Sequence, residues 1–283
     1  MKRQLFILFV LFSLFEVTNA TKYALVIGIG DYPVESGWAK INGDKDVPVV
    51  KDMLLVNGFS QQNIVELVND KATATAIQKE LSALVSKVKS GDVVYIHFSG
   101  HGQRVTDIHG DEEDGFDEAW IPFDAQFSFS KGKYEGENHI LDDQLNGYLS
   151  QLRSKVGSSG KITVIADACH SGGGSRAEED TTYVVRGTSD DFVIPAETKA
   201  YTGEAGVAIN WIFISACKSY QCNYEYKGSG SLTYALCRQK ENLSTTPCQQ
   251  VHRSIRSTIS NIIPFTQTPV VETTTEGMQQ TLF

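Results

Sequence analysis

Three short apolar runs that end at or near a glycine constrain the fold of this chain more than any other feature. They are YALVIGIG at 23–30, VVYIHFSG within 91–102, and KITVIADA at 161–168. Runs of this length without polar alternation are typical of parallel strands buried on both faces. Segments that lie between these runs have helical spacing, at 46–57, 73–88 and 141–156. This alternation predicts an α/β fold in three layers, a mostly parallel central sheet with helices on both faces.

Further segments extend the same pattern to the end of the chain. NIVELV at 63–68 and NWIFISA at 210–216 are predicted strands, and TPVVETT at 268–274 is a candidate last strand. Residues 172–206 are rich in Gly, Ser, Thr and charge and have no period, which predicts a long exposed loop. No repeat or linker divides the chain, so we expect a single domain over 21–283.

The first twenty residues have the layout of a secretory signal peptide. MKRQ carries positive charge, LFILFVLFSLF is apolar, and VTNA ends in small residues. The apolar run is shorter than the roughly 20 residues that span a bilayer, which favours cleavage after Ala20 over an anchor. We therefore expect an exported protein, periplasmic or extracellular, with no membrane span in the mature chain.

The composition excludes some partners and leaves the cysteines open. The formal net charge is −9, which argues against nucleic acid and anionic lipid as partners. Five cysteines leave at least one unpaired. Two disulfides among Cys217, Cys222, Cys237 and Cys248 would leave Cys169 free, but five reduced thiols are equally compatible with the sequence.

Two predicted strands deliver a reactive side chain where they end. YIHFSGHG leads to His101, and TVIADACHSG leads to Cys169. Carboxyl ends of neighbouring parallel strands meet at one edge of a sheet, so the two side chains are expected to lie together. A thiol nucleophile needs such a base, and the N–H groups of Gly102 and Cys169 are candidate oxyanion donors. Taken singly, a histidine or a cysteine here is more often structural; together they predict a catalytic dyad.

FSGHG and DACHSG resemble the two catalytic motifs of the metacaspase branch of the caspase-like cysteine peptidases. The resemblance extends over residues 22–275 and includes other motifs: YALVIGIGDYP, HGDEEDGFDEAWIPFD (109–124), ILDDQL (140–145) and ISACKSYQ (214–221). It implies a caspase-like fold and endopeptidase activity, with Cys169 as nucleophile and His101 as general base. No cofactor is required by such a dyad.

The same resemblance implies cleavage after Arg or Lys in protein or peptide substrates. Asp167 lies two residues before Cys169 on one strand, so it is expected on the same face and is a candidate S1 residue. Ser99 stands in the same relation to His101, and Asp46 approximately matches another acidic S1 residue of the family. A buried carboxylate favours a guanidinium. The alternative for Asp167 is a buried acid bonded to backbone amides.

A calcium site is also implied by the resemblance, with ligands at Asp117, Asp142 and Asp143. The fourth family ligand falls on Arg176, a cation that cannot bind calcium. Oxygen-rich calcium sites need about six ligands, so this departure leaves calcium activation open.

The loop at 172–206 is a candidate site of self-processing, because it leaves the sheet beside the predicted nucleophile. It carries three basic residues, of which Arg186 and Lys199 suit cleavage within one molecule better than Arg176 does. The sequence thus predicts an exported, self-processing cysteine endopeptidase with basic P1 preference. The alternatives are a catalytically inactive caspase-like binding module and a different acyl-transfer hydrolase.

Overall fold

A computed structural model describes residues 20–108, 110, 112, 114–169, 183–195 and 209–283. The predicted signal peptide lies, apart from Ala20, outside the described residues. So do His170 and two of the predicted processing residues, Arg176 and Lys199. In the described part of the chain, no helix is long and apolar enough to cross a membrane.

Eleven strands form one large and two small sheets in the described residues. They are β1 (Lys22–Gly28), β2 (Ile64–Val68), β3 (Val93–Ser99), β4 (Gly102–Thr106), β5 (Phe116–Trp120), β6 (Ile140–Leu141), β7 (Lys161–Asp167), β8 (Ile212–Ser215), β9 (Glu225–Tyr226), β10 (Ser229–Gly230) and β11 (Val270–Glu272). The large sheet has the order β11-β8-β7-β3-β1-β2. Its strands are parallel except β11, which pairs antiparallel with β8.

Five α-helices of the described residues cover the two faces of this sheet. They are α1 (Gly43–Val56), α2 (Ala74–Lys87), α3 (Asp142–Val156), α4 (Ser231–Cys237) and α5 (Cys248–Ile262). Helices α2 and α3 pack on the face that carries Leu25 and Ile96. Helices α1, α4 and α5 pack on the opposite face, against Val26 and Tyr95. Alternate residues of each buried strand therefore enter two separate cores, and the predicted three-layer α/β fold is confirmed.

The predicted acidic loop after β3 contains regular structure. Strands β4, β5 and β6 form an antiparallel sheet of their own. The sequence conceals β5 (FDEAW) because charged residues occupy it, although Asp117 is only 1% exposed. The burial of an acidic side chain in so short a strand depends on tertiary contacts that composition does not record.

In the described part of the predicted exposed loop, residues 183–195, Val184 and Val193 are exposed, but two other residues are buried. Arg186 is fully buried and Phe192 is 1% exposed. Ion pairs bury the first, and packing against Tyr134 and His139 buries the second. The cysteine question is answered as well, because all five thiols are reduced and buried.

A buried polar network at His139 generates a pH-dependent prediction. Nδ1 of His139 pairs with the Tyr134 hydroxyl at 2.9 Å, and Nε2 pairs with Oε1 of Gln103 at 3.1 Å. Burial lowers the pKa of His139 to about 4. Between pH 6.5 and 4, His139 is protonated in the unfolded chain but stays neutral in the folded chain. The contribution of His139 to the free energy of unfolding is therefore lost as pH falls.

We expect the stability difference between wild type and His139→Gln to shrink as pH falls from about 7 to about 4. The change is on the order of 3 kcal/mol, because each pKa unit corresponds to about 1.4 kcal/mol. Urea unfolding at both pH values measures it. Tyr134→Phe is the control, since it keeps the imidazole and should show a nearly constant penalty. A pH-independent difference for His139→Gln would contradict the prediction.

Candidate active site

The register of β3 and β7 brings the two predicted dyad residues to one edge of the sheet. Ser99 and Asp167 are paired, and these are the last residues of the two strands. His101 and Cys169 each follow two residues later. Both are buried, His101 at 2% exposure and Cys169 at zero.

The imidazole of His101 has a defined tautomer. Its Nε2 lies 2.8 Å from the carbonyl oxygen of Ala39, which can only accept, so Nε2 carries the proton. The ring stacks on Trp38 at 4.9 Å between centroids, and Nδ1 has no hydrogen-bond partner among the residues that the structure describes. Burial lowers the pKa of His101 to about 4. The side chain is thus a neutral, oriented imidazole whose Nδ1 is available as an acceptor.

Cys169 lies against the chain around Arg186. Its backbone N–H donates to the Arg186 carbonyl at 2.7 Å, and its thiol donates to the Gln221 carbonyl at 2.7 Å. A Cβ added to Gly187 would lie 2.9 Å from Cβ of Cys169 and closer still to its carbonyl oxygen. Only glycine allows the chain to pass this close, so the chain at Gly187 lies directly against the backbone and Cβ of Cys169.

The guanidinium of Arg186 fills a pocket of three carboxylates, which we call the carboxylate pocket (Asp46, Asp167 and Glu225). Nη1 lies 2.7 Å from Oδ2 of Asp46 and 3.8 Å from Oδ1 of Asp167, and Nε lies 3.0 Å from Oε1 of Glu225. Nη1 also donates to the hydroxyl of Ser99. Burial lowers the pKa of Arg186, but the three carboxylates outweigh it and raise the pKa above the ordinary value.

Other polar groups hold the carboxylate pocket in place. Thr233 donates to Oδ2 of Asp167 from its backbone N–H at 2.7 Å and from its hydroxyl at 2.6 Å. The side-chain amide of Asn223 donates to the other oxygen at 2.7 Å. The backbone N–H of Asn42 donates to Glu225 at 2.6 Å. Charges in this pocket are therefore paired and hydrogen-bonded, except at Nη2 of Arg186, which has no hydrogen-bond partner among the residues that the structure describes.

Backbone pairing holds the chain on both sides of the Arg186–Gly187 bond. Upstream, Glu225 N–H donates to the Val184 carbonyl at 2.9 Å, and Arg186 N–H donates to the Asn223 carbonyl at 2.9 Å. Downstream, Phe192 and Arg104 are joined by an N–H···O bond of 2.8 Å. The segment thus runs as an added strand along 223–225, crosses Cys169, and is tied to β4.

The structure gathers the predicted S1 residues Ser99, Asp46 and Asp167 around one guanidinium; their role toward substrates stays a prediction. Cys169, predicted as an oxyanion donor, does donate to a carbonyl, whereas the role of Gly102, the first residue of β4, stays a prediction. The sequence interpretation missed Glu225, Ala39 and Trp38.

Each missed residue acts in a way that no motif records. Ala39 contributes only a backbone carbonyl, which any residue could supply. Glu225 lies in NYEYKG, where its charge resembles that of a solvated turn. Trp38 is one of three tryptophans and carries no positional signal.

The predicted calcium ligands do not form a site. Among the described residues, no three His, Cys, Asp or Glu side chains converge as metal ligands would, and this includes Asp117, Asp142 and Asp143. Burial and the neighbouring charge of Asp143 raise the pKa of Asp142 to about 7. These residues do not fit a calcium ion, and the chemistry below uses none.

Comparison with known proteins agrees with the geometry. A family model of the caspase domain matches residues 21–278, and this chain belongs to that family. It is 35% identical to metacaspase-4 of Arabidopsis thaliana over 161 residues, which cover 54% of this chain and 34% of the relative. It is 34% identical to metacaspase-1B of Aspergillus fumigatus over 122 residues, covering 41% of this chain and 27% of the relative. The predicted resemblance to metacaspases is confirmed.

A solved structure supports the fold alone. A protein from Geobacter sulfurreducens superposes with a TM-score of 0.65 at 22% identity, covering 92% of this chain and 97% of the other. The matched regions of the two curated relatives are about a third or less of their lengths.

Proposed function

We propose that this chain is a cysteine endopeptidase that cleaves after arginine or lysine and processes itself after Arg186. One observation carries the proposal. The guanidinium of Arg186 fills the carboxylate pocket, and the backbone carbonyl of the same residue accepts a hydrogen bond from the N–H of Cys169. A peptide substrate of a cysteine peptidase needs the same two contacts, one for recognition and one for the oxyanion. Arg186 and Gly187 therefore lie as residues P1 and P1′ would.

The proposed chemistry is that of a cysteine–histidine dyad. Nδ1 of His101 takes the thiol proton, and the sulfur of Cys169 attacks the carbonyl carbon of the P1 residue. The Cys169 N–H stabilises the oxyanion, and a low-dielectric surrounding strengthens that bond. The protonated imidazole then gives its proton to the leaving amine. Water, activated by the same imidazole, hydrolyses the thioester and restores the free thiol.

A basic P1 residue is favoured by charge and by geometry. A lysine ammonium can enter the carboxylate pocket, but only a guanidinium reaches Asp46 and Glu225 with separate nitrogens. An acidic P1 residue would meet three carboxylates and be repelled. The proposed substrates are peptides or proteins with accessible Arg or Lys. The predicted signal peptide supports the further proposal that the mature enzyme works outside the cytoplasm.

One prediction of this proposal concerns P1 selectivity. Asp46→Asn should lower kcat/KM for Arg peptides roughly 30-fold or more, since losing one partner of a buried charge pair costs about 2–5 kcal/mol. Asp52→Asn, an exposed change on the same helix, should have little effect. A fluorogenic panel with Arg, Lys and Asp at P1 measures this. Turnover by purified Cys169→Ala, or no turnover of any basic peptide by wild type, would contradict the peptidase assignment and leave the binding-module alternative.

Another prediction of this proposal concerns self-processing. Purified wild type should separate into two bands on a denaturing gel and remain one species by size exclusion, because β7 and β8 share one sheet. N-terminal sequencing should place a new terminus at Gly187. Arg186→Gln should block this cut, whereas Lys199→Gln should not, and Cys169→Ala should stay whole. A wild-type chain that turns over Arg peptides while uncut would contradict self-processing.

A further inference from the structure

Three of the five cysteines lie together at the end of β7 and in the turn after β8. The thiols of Cys169 and Cys217 donate to one acceptor, the carbonyl oxygen of Gln221, at 2.7 and 3.1 Å. Cys169 and Cys222 both lie close enough to Cys217 to raise the pKa of its thiol. Because both sulfurs contact the same carbonyl oxygen, the distance between the two sulfurs is at most the sum of these two S···O distances.

The backbones of the two cysteines suit a disulfide. Strands β7 and β8 are parallel neighbours, with Ala166 opposite Ser215. Cys169 comes three residues after Ala166, and Cys217 comes two residues after Ser215. The bond from Ala216 N–H to the Ala166 carbonyl, 3.1 Å, keeps the two chains side by side beyond the strand ends. Neighbouring chains of a sheet lie about 4.8 Å apart, which is within the Cα separation of roughly 4.4–6.8 Å that disulfides require.

A cavity gives small molecules access to this pair. It has a volume of about 420 Å³, and Cys217 lines it together with Trp120, Trp211, Phe213 and Tyr220. Cys169 itself is fully buried beneath the Arg186–Gly187 segment, whereas Cys217 is 7% exposed. A hydroperoxide as small as hydrogen peroxide fits this cavity easily.

We propose that Cys169 and Cys217 form a reversible, inactivating disulfide on reaction with a hydroperoxide. One thiol reduces the hydroperoxide ROOH to ROH and becomes a sulfenic acid, so the O–O bond breaks and an S–O bond forms. The second sulfur attacks the sulfenic sulfur; the S–S bond forms, the S–O bond breaks, and water leaves with the thiol proton. Dithiol reductants reverse the step by exchange.

Disulfide formation removes the nucleophile from the proposed peptidase and also protects it. A lone sulfenic acid is oxidised further to sulfinic acid, which reductants do not restore, whereas a disulfide is recovered. Whichever of the two thiols is oxidised first, the other acts as the resolving thiol. This regulation rests on the proposed function, but the disulfide itself does not.

Peptide mapping tests the inference directly. Trypsin cuts after Arg176, Lys199 and Lys218, so it places Cys169, Cys217 and Cys222 on three separate peptides. Wild type treated with hydrogen peroxide, alkylated and digested without reductant should yield the Cys169 and Cys217 peptides joined, lighter by two hydrogen atoms than their sum. Cys222→Ser should give the same linked peptide.

Two outcomes would overturn the inference. One is a Cys169 peptide that carries only sulfinic or sulfonic acid, and the other is a link from Cys169 to Cys222. In Cys217→Ala, peroxide should produce no linked peptide from Cys169, and any Cys169 that becomes oxidised to the sulfinic acid should not be restored by reductant. The linked peptide in a protein with no peptidase activity would support the disulfide and refute the proposed function. Peptidase activity in a protein that never forms the linked peptide would support the proposed function and refute the disulfide.

Discussion

The ion cluster between Arg186 and the carboxylate pocket is the interaction on which the site depends. Three carboxylates buried at one point would repel one another and be costly without a cation. Arg186 neutralises the group, and the carboxylates accept further hydrogen bonds from backbone and side-chain donors. The cluster joins α1, β7 and the start of β9 to a segment remote from α1 and β7 in sequence. An incoming basic peptide residue would have to replace Arg186 in the same contacts.

Sheet register supplies the second constraint. Because β3 and β7 are parallel neighbours that end together, two residues of extension suffice to place an imidazole and a thiol at one edge. The Ala39 carbonyl then selects the imidazole tautomer, and Trp38 fixes its plane. Among the described residues, a backbone carbonyl and an aromatic ring thus orient the imidazole of His101, and no acidic side chain takes that role.

The fold and the dyad were predictable because they depend on local signals. Apolar runs that end near glycine marked the parallel strands, and His101 and Cys169 followed two of them directly. Asp167 was predictable from the period of two along β7. Glu225 was not, because its burial depends on Asn42 and Arg186, which are distant in sequence. The buried position of Arg186 was concealed for the same reason: its segment looks like an exposed loop by composition.

Binding of an arginine mimic tests the central claim that Arg186 occupies the S1 pocket. Calorimetry would compare benzamidine binding to two uncleavable proteins, Cys169→Ala and Cys169→Ala/Arg186→Ala. Tethering gives Arg186 a high effective concentration at the pocket, so the double variant should bind benzamidine about tenfold tighter or more. Equal affinity of the two proteins for benzamidine, or no binding to either, would contradict the account.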